Sequence, residues 1–538
     1  MNEQLSAEDA AIPRVHRFLI AAAVLTAAFL AFMPILPGYL YHWDEYQLSL
    51  AQAGFSVVQH HPHPPGYYLF VLLERLFALA APDGIEPGRL TAVFATAAAA
   101  ACLVFVLPAR NARSLILPSL VFPVLAFTSP VIAFYSVAVL TYTSEAWLWL
   151  LILLMLMRHP KGWRLWLFAA FVGAAAGVRQ TLLLWALPVA AFELYRCRER
   201  IRIKDLAAAG LCALLGAAAW LIPMLYETGG VQAYLQAAAM MRETMGWHRS
   251  VLEAPLQVLV ERWLYMLRWL FQGLAIGAVL PLAAFLLRLG GAKERLRKYD
   301  VLLLAALVPF VFYALIIFDN IGYIVPVLFL LLAYGVLGLA AAGPRSAFAL
   351  LASVTLLSIL PVIKPFWAAG TWKSTLSAYE KNDQVLEARF ARIRERFAPQ
   401  ETVLLTGRQY WVRSFRTLMY YLPEYTTLQL MPDNVFPVTS EEKLYLAARG
   451  HSVWAAGPEG FMLRELLPVP DRFVHALYVF PEDSEEFLDS ACSDFTHDIY
   501  VGRGSKPMLV IRPGHSSQLT VKDGRLLCSD SLDLPSFD

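Results

Sequence analysis

The sequence predicts an α-helical polytopic membrane domain, residues 1–363, followed by a small α/β domain outside the cytoplasm, residues 364–538. Three observations carry this reading. Of the 538 residues, 58% are hydrophobic and only 16% are charged, against roughly 25% charged in an ordinary soluble domain. The apolar runs stop near Lys364; from there on the chain has 19 Lys+Arg and 23 Asp+Glu, a net of −4, while the preceding part has 25 and 19, a net of +6. Finally, the basic residues of the first part gather on alternate loops. Such a composition excludes a soluble enzyme, a disordered protein and a disulfide-knotted module, because the apolar surplus would lie exposed in water. A net charge of +2 gives no basis for nucleic-acid binding.

A helical span needs ~20 apolar residues. Runs of that kind start near Phe18, Arg89, Ser114, Ser144, Leu165, Thr181, Asp205, Arg268, Val301, Ile321 and Ala347, with Pro118, Pro123, Pro188 and Pro281 blurring their edges. That makes about eleven transmembrane helices. Arg14/Arg17, Arg110/Arg113, Arg158/Lys161/Arg164, Arg196 to Lys204, Arg288 to Lys298 and Arg345 hold 18 of the 25 basic residues. Basic residues accumulate on cytoplasmic loops, so these loops and the N-terminus lie inside. Tyr39 to Pro65, Ser129 to Tyr142, Glu227 to Pro255 and Asp319/Asn320 are then outer loops. The expected location is a bacterial inner membrane, crossed many times, with the C-terminal domain periplasmic. No small-residue cleavage site follows Phe32, so the first helix is expected to be retained. Cys492 and Cys528 are the two cysteines of the C-terminal domain, and a disulfide between them or two free thiols are both open readings.

The first outer loop is the richest in chemistry. Tyr41-His42-Trp43-Asp44-Glu45-Tyr46 and Gln59-His60-His61-Pro62-His63-Pro64-Pro65-Gly66-Tyr67-Tyr68 bring two adjacent carboxylates, four histidines and five aromatics together. Asp44 is a candidate general base, with Glu45, His61, His63 and Tyr67 as substrate-binding candidates; the carboxylates could equally cap a helix. His61 and His63 lack regular ligand spacing, so neither a metal nor another cofactor is indicated. Tyr67 to Ala81 carries Glu74 and Arg75 and reads as an interfacial helix. Glu145 and Arg179 lie at outer helix ends. A forked guanidinium there suits a phosphate; an ion pair with Glu145 is the other reading. On the loop Glu227 to Pro255, Arg242 and Arg249 either meet substrate or snorkel from an interfacial helix.

Asp44-Glu45 after the first span and His63-Pro64-Pro65-Gly66-Tyr67-Tyr68 resemble the first outer loop of the GT-C superfamily of glycosyltransferases. The closest group is the protein O-mannosyltransferase and aminoarabinose-transferase branch, with its RgtA-like members. Tyr142-Thr143-Ser144-Glu145 is similar to that branch's second acidic position, and Gly322-Tyr323 with Pro326 to its late Arg-Tyr…Pro signature. Gly322 stands where Arg is common, and no Lys matches the family's basic position. The resemblance covers about the first 345 residues. It implies a polyprenyl-phosphate sugar donor, an acceptor that is a lipid, glycan or protein at the outer face, membrane lipids as surroundings, and inversion at the anomeric carbon. Arg179, Arg242 and Arg249 are then the candidates for the donor phosphate, and Tyr323 for substrate binding.

In the C-terminal domain, helices are expected over Ser374 to Phe397 and Gln409 to Tyr421. Strands are expected at Thr402 to Thr406, Thr426 to Leu430, Ser452 to Ala456, Val474 to Phe480 and Met508 to Ile511, with a hairpin turn at Lys522-Asp523-Gly524. The competing functions are an oligosaccharide polymerase or ligase and, in another class, a lipid or solute transporter or flippase. A transporter should carry repeated halves, and the sequence has none.

Overall fold

A computed structural model of the chain describes residues 13–108, 112–158, 161–196, 202–245, 251, 254–290, 296–316, 320–343, 345–363, 376–406, 413, 415–431, 443–447, 466–468, 475–480, 496–499, 508–511, 518–522 and 525–529. They fall into two compact units. The first comprises Met1–Leu36, Tyr67–Tyr226 and Gly246–Ala378, and the second Pro37–Gly66, Glu227–Met245 and Tyr379–Asp538. The acidic loop therefore belongs with the C-terminal residues, not with the helices that flank it in sequence.

The first unit is helical. Among the described residues, six helices are long and apolar enough to cross a membrane, or seven if a bent pair counts as one span, and four shorter apolar helices accompany them. The most enclosed is Ile321–Ala342, with 89% of its apolar window buried, whereas Ile203–Thr228 has 17% buried. Because lipid tails are as apolar as leucine, the second figure marks a helix that faces lipid along most of its length. Exposed Leu214, Leu215, Ile222 and Tyr226 on that helix agree. Where it does meet a neighbour, it does so through glycine. A Cβ on Gly173 would lie 2.1 Å from the Ala213 carbonyl oxygen, and one on Gly216 would lie 2.2 Å from that of Ala170. The two backbones approach as small residues alone allow, and the Trp220 indole N–H bonds to the Gly173 carbonyl at 3.0 Å.

Two sequence expectations need correcting. Ser129 to Tyr142 is not an open loop: Pro130–Val137 is a buried helix, bent by 82° from Leu115–Thr128. The Ser129 hydroxyl caps it, accepting the Ile132 N–H at 3.1 Å and donating to the Gly273 carbonyl at 2.6 Å, and Pro130 occupies the first turn, where no N–H is missed. The span expected from Arg268 starts at Leu256. Glu261 and Arg262 interrupt the apolar run there, but the helix buries Arg262 and sends its Nη1 to the Ala314 carbonyl at 3.4 Å.

In the second unit, Val231–Met245 is a helix. A six-stranded sheet runs in the order β3-β2-β1-β5-β7-β6, where β1 is Thr402–Thr406, β2 Thr426–Met431, β3 Lys443–Ala447, β5 His475–Tyr478, β6 Thr496–Ile499 and β7 Met508–Ile511. Strand β1 is parallel to β2, with Val403 opposite Thr426, and to β5, with Thr402 opposite His475. Strands β4 (Leu466–Pro468), β8 (Gln518–Lys522) and β9 (Arg525–Ser529) form a second sheet. The β8–β9 register pairs Lys522 with Arg525, as a tight hairpin requires. Leu386, Phe390 and Ile393 recur at helical spacing along Leu376–Arg396 and, with Phe397 just past its end, pack with Leu404, Leu418 and Leu477 into a common core. Residues 452–456 lie outside the described residues, as do 409–412 and 414 of the second expected helix.

Candidate functional site

The acidic loop folds as a helix, Trp43–Ala53, with His42 as its N-cap. The His42 Nδ1 accepts the Asp44 N–H at 3.2 Å, and Glu45 Oε1 accepts the His42 N–H at 3.0 Å. Carboxylates in a first turn are favoured by the helix dipole, yet the two adjacent acids differ. Glu45 is fully buried; the same Oε1 also takes the Tyr41 N–H at 3.4 Å and the Tyr379 hydroxyl at 2.6 Å. It is a structural acceptor. Asp44 remains 22% exposed, with Oδ2 at 3.7 Å from His42 Nδ1 and Oδ1 at 3.6 Å from His63 Nδ1. Of the two, only Asp44 can meet a ligand.

Gln47, one turn along the same helix, fixes His63: its Oε1 lies 2.9 Å from the His63 N–H and 2.7 Å from Nδ1. Since a carbonyl oxygen only accepts, Nδ1 carries the proton. His60 and His61 are buried beside the Arg416 guanidinium. Burial first, and that cation second, push His61 down to about 3 and hold His60 well below the ordinary imidazole range. Both rings are neutral at pH 7.

The C-terminal residues grip the entrance to this loop. Asp383 accepts the Gly38 and Tyr39 N–H groups at 2.6 and 3.0 Å, the Tyr421 hydroxyl accepts the Leu40 N–H at 2.7 Å, and Asn382 Nδ2 donates to the Leu40 carbonyl at 3.1 Å. None of these partners carried a signal in the sequence, because charged and polar side chains are ordinary on an amphipathic helix such as Leu376–Arg396.

A separate cluster lies in the first unit. Arg179 Nε is 3.2 Å from Glu145 Oε2, and its Nη1 donates to the Thr141 hydroxyl at 2.7 Å; the Thr181 hydroxyl donates to Glu145 Oε1. Both charged residues are buried. The guanidinium also sits 4.5 Å from the Tyr142 ring, 5.4 Å from Tyr323 and 5.8 Å from Tyr67, within cation–π range. Tyr323 stacks on Tyr313 at 4.2 Å. Tyr67 begins its helix at φ 45°, and the Leu69 N–H bonds to the Gly177 carbonyl at 2.9 Å, which ties that helix to the Arg179 segment. So Tyr67, Glu145, Arg179 and Tyr323 come together, with the ion-pair alternative for Glu145 and Arg179 formed. Thr141, Thr181 and Tyr313 are partners the sequence did not single out.

Gly322 has a steric reason. A Cβ there would fall 2.3 Å from the Tyr142 ring, so no side chain fits, and the cation reaches that ring from Arg179 instead. Gly322→Ala is expected to cost about 1–3 kcal/mol through overpacking, read as a lowered Tm in detergent; an unchanged Tm would contradict the packing described.

Among the described residues no group of three or more His, Cys, Asp and Glu could hold a metal ion. Arg249 and Cys492 lie outside the described residues. Arg242 is on the helix Val231–Met245 and Cys528 on β9, opposite Leu519, so the Cys492–Cys528 pairing is not described.

The fold defines a polytopic membrane protein, with one polar cluster around the acidic loop in the second unit and another among the helices of the first. No known protein family and no curated protein matches the sequence. Among solved structures, the chain is similar to the crystal structure of ArnT from Cupriavidus metallidurans bound to undecaprenyl phosphate, with 13% identity and a TM-score of 0.56 over 91% of this chain and 97% of that one. The apo state of the same protein gives 14% identity and a TM-score of 0.55 with equal coverage. At such identity the likeness is one of fold. The chain shares the fold of that ArnT structure over nearly its whole length.

Proposed function

We propose that the chain is a membrane glycosyltransferase that moves a sugar from a polyprenyl-phosphate donor to an acceptor at the outer face of the membrane. Within the GT-C superfamily we read it as a member of the protein O-mannosyltransferase and aminoarabinose-transferase branch. The observation that carries the reading is Asp44. It is the accessible carboxylate of a loop whose other acid is consumed structurally, in a chain folded like a protein crystallised with undecaprenyl phosphate.

The chemistry balances without a metal or a nucleotide. Asp44 takes the proton of an acceptor hydroxyl while that oxygen bonds to the anomeric carbon from the side opposite the phosphate. The carbon–oxygen bond to phosphate breaks, and polyprenyl phosphate leaves with the electron pair, so configuration inverts. His63, oriented by Gln47, supplies a hydrogen-bonding group beside Asp44, while His61 belongs to the turn of the same loop. Arg179 is placed among tyrosine rings, a setting that suits recognition of a sugar phosphate, while Glu145 balances its charge.

In this reading the chain crosses a bacterial inner membrane about eleven times, with residues 1–363 as the membrane domain. The N-terminus is cytoplasmic and residues 364–538 form an α/β domain on the periplasmic side. The test is direct. Purified protein in nanodiscs is given polyprenyl-phosphate sugars and an envelope extract, and release of polyprenyl phosphate is followed by mass spectrometry. Sugar-dependent release is expected, with the product appearing in a lipid, glycan or protein fraction. Movement of intact donor across the bilayer without release would instead make the protein a flippase.

A further inference from the structure

We propose that Arg416, contributed by the C-terminal part of the chain, is the positioning residue of the acidic loop: it holds Trp43, Asp44 and the His60–His61 turn in a single arrangement. The proposal rests on the reading of Asp44 as the general base.

Arg416 is the second residue of the helix Phe415–Tyr421, and its side chain is completely buried. Its guanidinium lies 4.8 Å over the Trp43 ring, and its Nη1 reaches the His60 carbonyl at 3.4 Å. Trp43 and Asp44 are the first two residues of the loop helix, and Asp44 attracts the same guanidinium. One side chain therefore touches the loop at its beginning and near its end.

The far contact is informative. His60 has φ 54°, a left-handed conformation that a residue with a Cβ keeps only where its surroundings enforce it. The Ser56–His61 bridge, with N···O distances of 2.7 and 2.8 Å, closes this turn, and the Arg416 contact ties its carbonyl to the other end of the loop. A planar fork can stack on an indole and donate to a carbonyl at once, which a lysine ammonium cannot.

The charge matters as well as the shape. Asp44 faces His42, His63 and Arg416; His60 faces Arg416, His63 and His61, and His61 faces Arg416. Burial pushes Arg416 itself down to about 9, with Asp44 acting in the opposite direction, so it remains a cation at neutral pH. A fixed positive charge at this point opposes protonation of the two imidazoles. It also holds Asp44 where a proton can be taken.

The experiment compares full-length Arg416→Gln and Arg416→Lys with the wild type in nanodiscs. Hydrogen–deuterium exchange over residues 54–66 reads the turn, and kcat and KM of sugar transfer, measured separately, read the site. Arg416→Gln is expected to raise exchange in 54–66. It should also lower kcat about 10²-fold, the cost of a misplacement near 1 Å, with KM within a few fold. Arg416→Lys keeps the charge but not the planar fork, and is expected to retain part of kcat and part of the protection over 54–66.

Wild-type exchange over 54–66 in Arg416→Gln overturns the proposal whatever the activity. If that variant does not fold, Arg416→Lys decides: unchanged exchange and unchanged kcat there overturn it. Full activity of Asp44→Asn would instead sink the general-base reading, while the exchange data would still settle whether Arg416 holds the turn.

Discussion

Asp44→Asn is expected to reduce sugar transfer by about 10²–10⁴-fold, the range general-base catalysis contributes, without a change in folding. The substitution keeps shape and removes basicity. Asp44 is partly exposed, and its backbone N–H, not its carboxylate, makes the N-cap bond to His42. Thermal stability should therefore stay near that of the wild type. Glu45→Gln should behave in the opposite way. Its Oε1 satisfies two backbone N–H groups and the Tyr379 hydroxyl, and losing the charge weakens three charge-assisted bonds in a buried position. It is expected to lower Tm and to reduce activity only in proportion to the folded fraction. Two adjacent acids thus separate by measurement: kcat falls for one and stability for the other. Equal effects on both would refute the division of roles.

The second large effect concerns the buried pair Glu145 and Arg179. Removing either partner strands a charge in a fully enclosed place, which costs about 3–5 kcal/mol, whereas replacing both by apolar residues removes the stranded charge with the pair. Arg179→Leu and Glu145→Leu alone are each expected to denature well below the wild type in detergent. The double variant should recover a large part of that loss, a strongly non-additive cycle. Simple addition of the two single effects would mean that the ion pair at 3.2 Å does not couple the residues. The double variant should also be inactive, because the tyrosine rings at 67, 142 and 323 would then surround no cation.

How much of this was legible follows from where each residue sits. Asp44, Glu145 and Arg179 stand out in a chain with 16% charged residues, because a charge near apolar spans is expensive and needs a reason. His63 drew notice through its prolines. Gln47 did not, since a glutamine on a helix face is unremarkable until its Oε1 is seen between two His63 nitrogens. Arg416, Tyr379 and Asp383 were invisible for the opposite reason to Asp44: in the polar C-terminal part, charged side chains are common and no spacing distinguishes one. Helix geometry shows the same contrast. The apolar periodicity marked most helices within a few residues. The bend at Ser129-Pro130 has a readable cap-and-proline signature, but an all-apolar flank gives no periodicity to say that the next eight residues turn back as a buried helix. At Leu256 the error came from treating Glu261 and Arg262 as the outside of the membrane, when the arginine bonds to a carbonyl inside the bundle.

The grip of Asp383 on Gly38 and Tyr39 joins residues 345 and 344 positions apart. A ribosome working at about 5–20 residues per second makes the loop roughly 20–70 s before it makes the helix that holds it. During that interval the Gly38 and Tyr39 amides lack the carboxylate that later receives them, and Glu45 lacks the Tyr379 hydroxyl. The order of synthesis thus becomes an order of maturation: a newly made chain carries its acidic residues from the start but completes their setting only once translation has entered its last third.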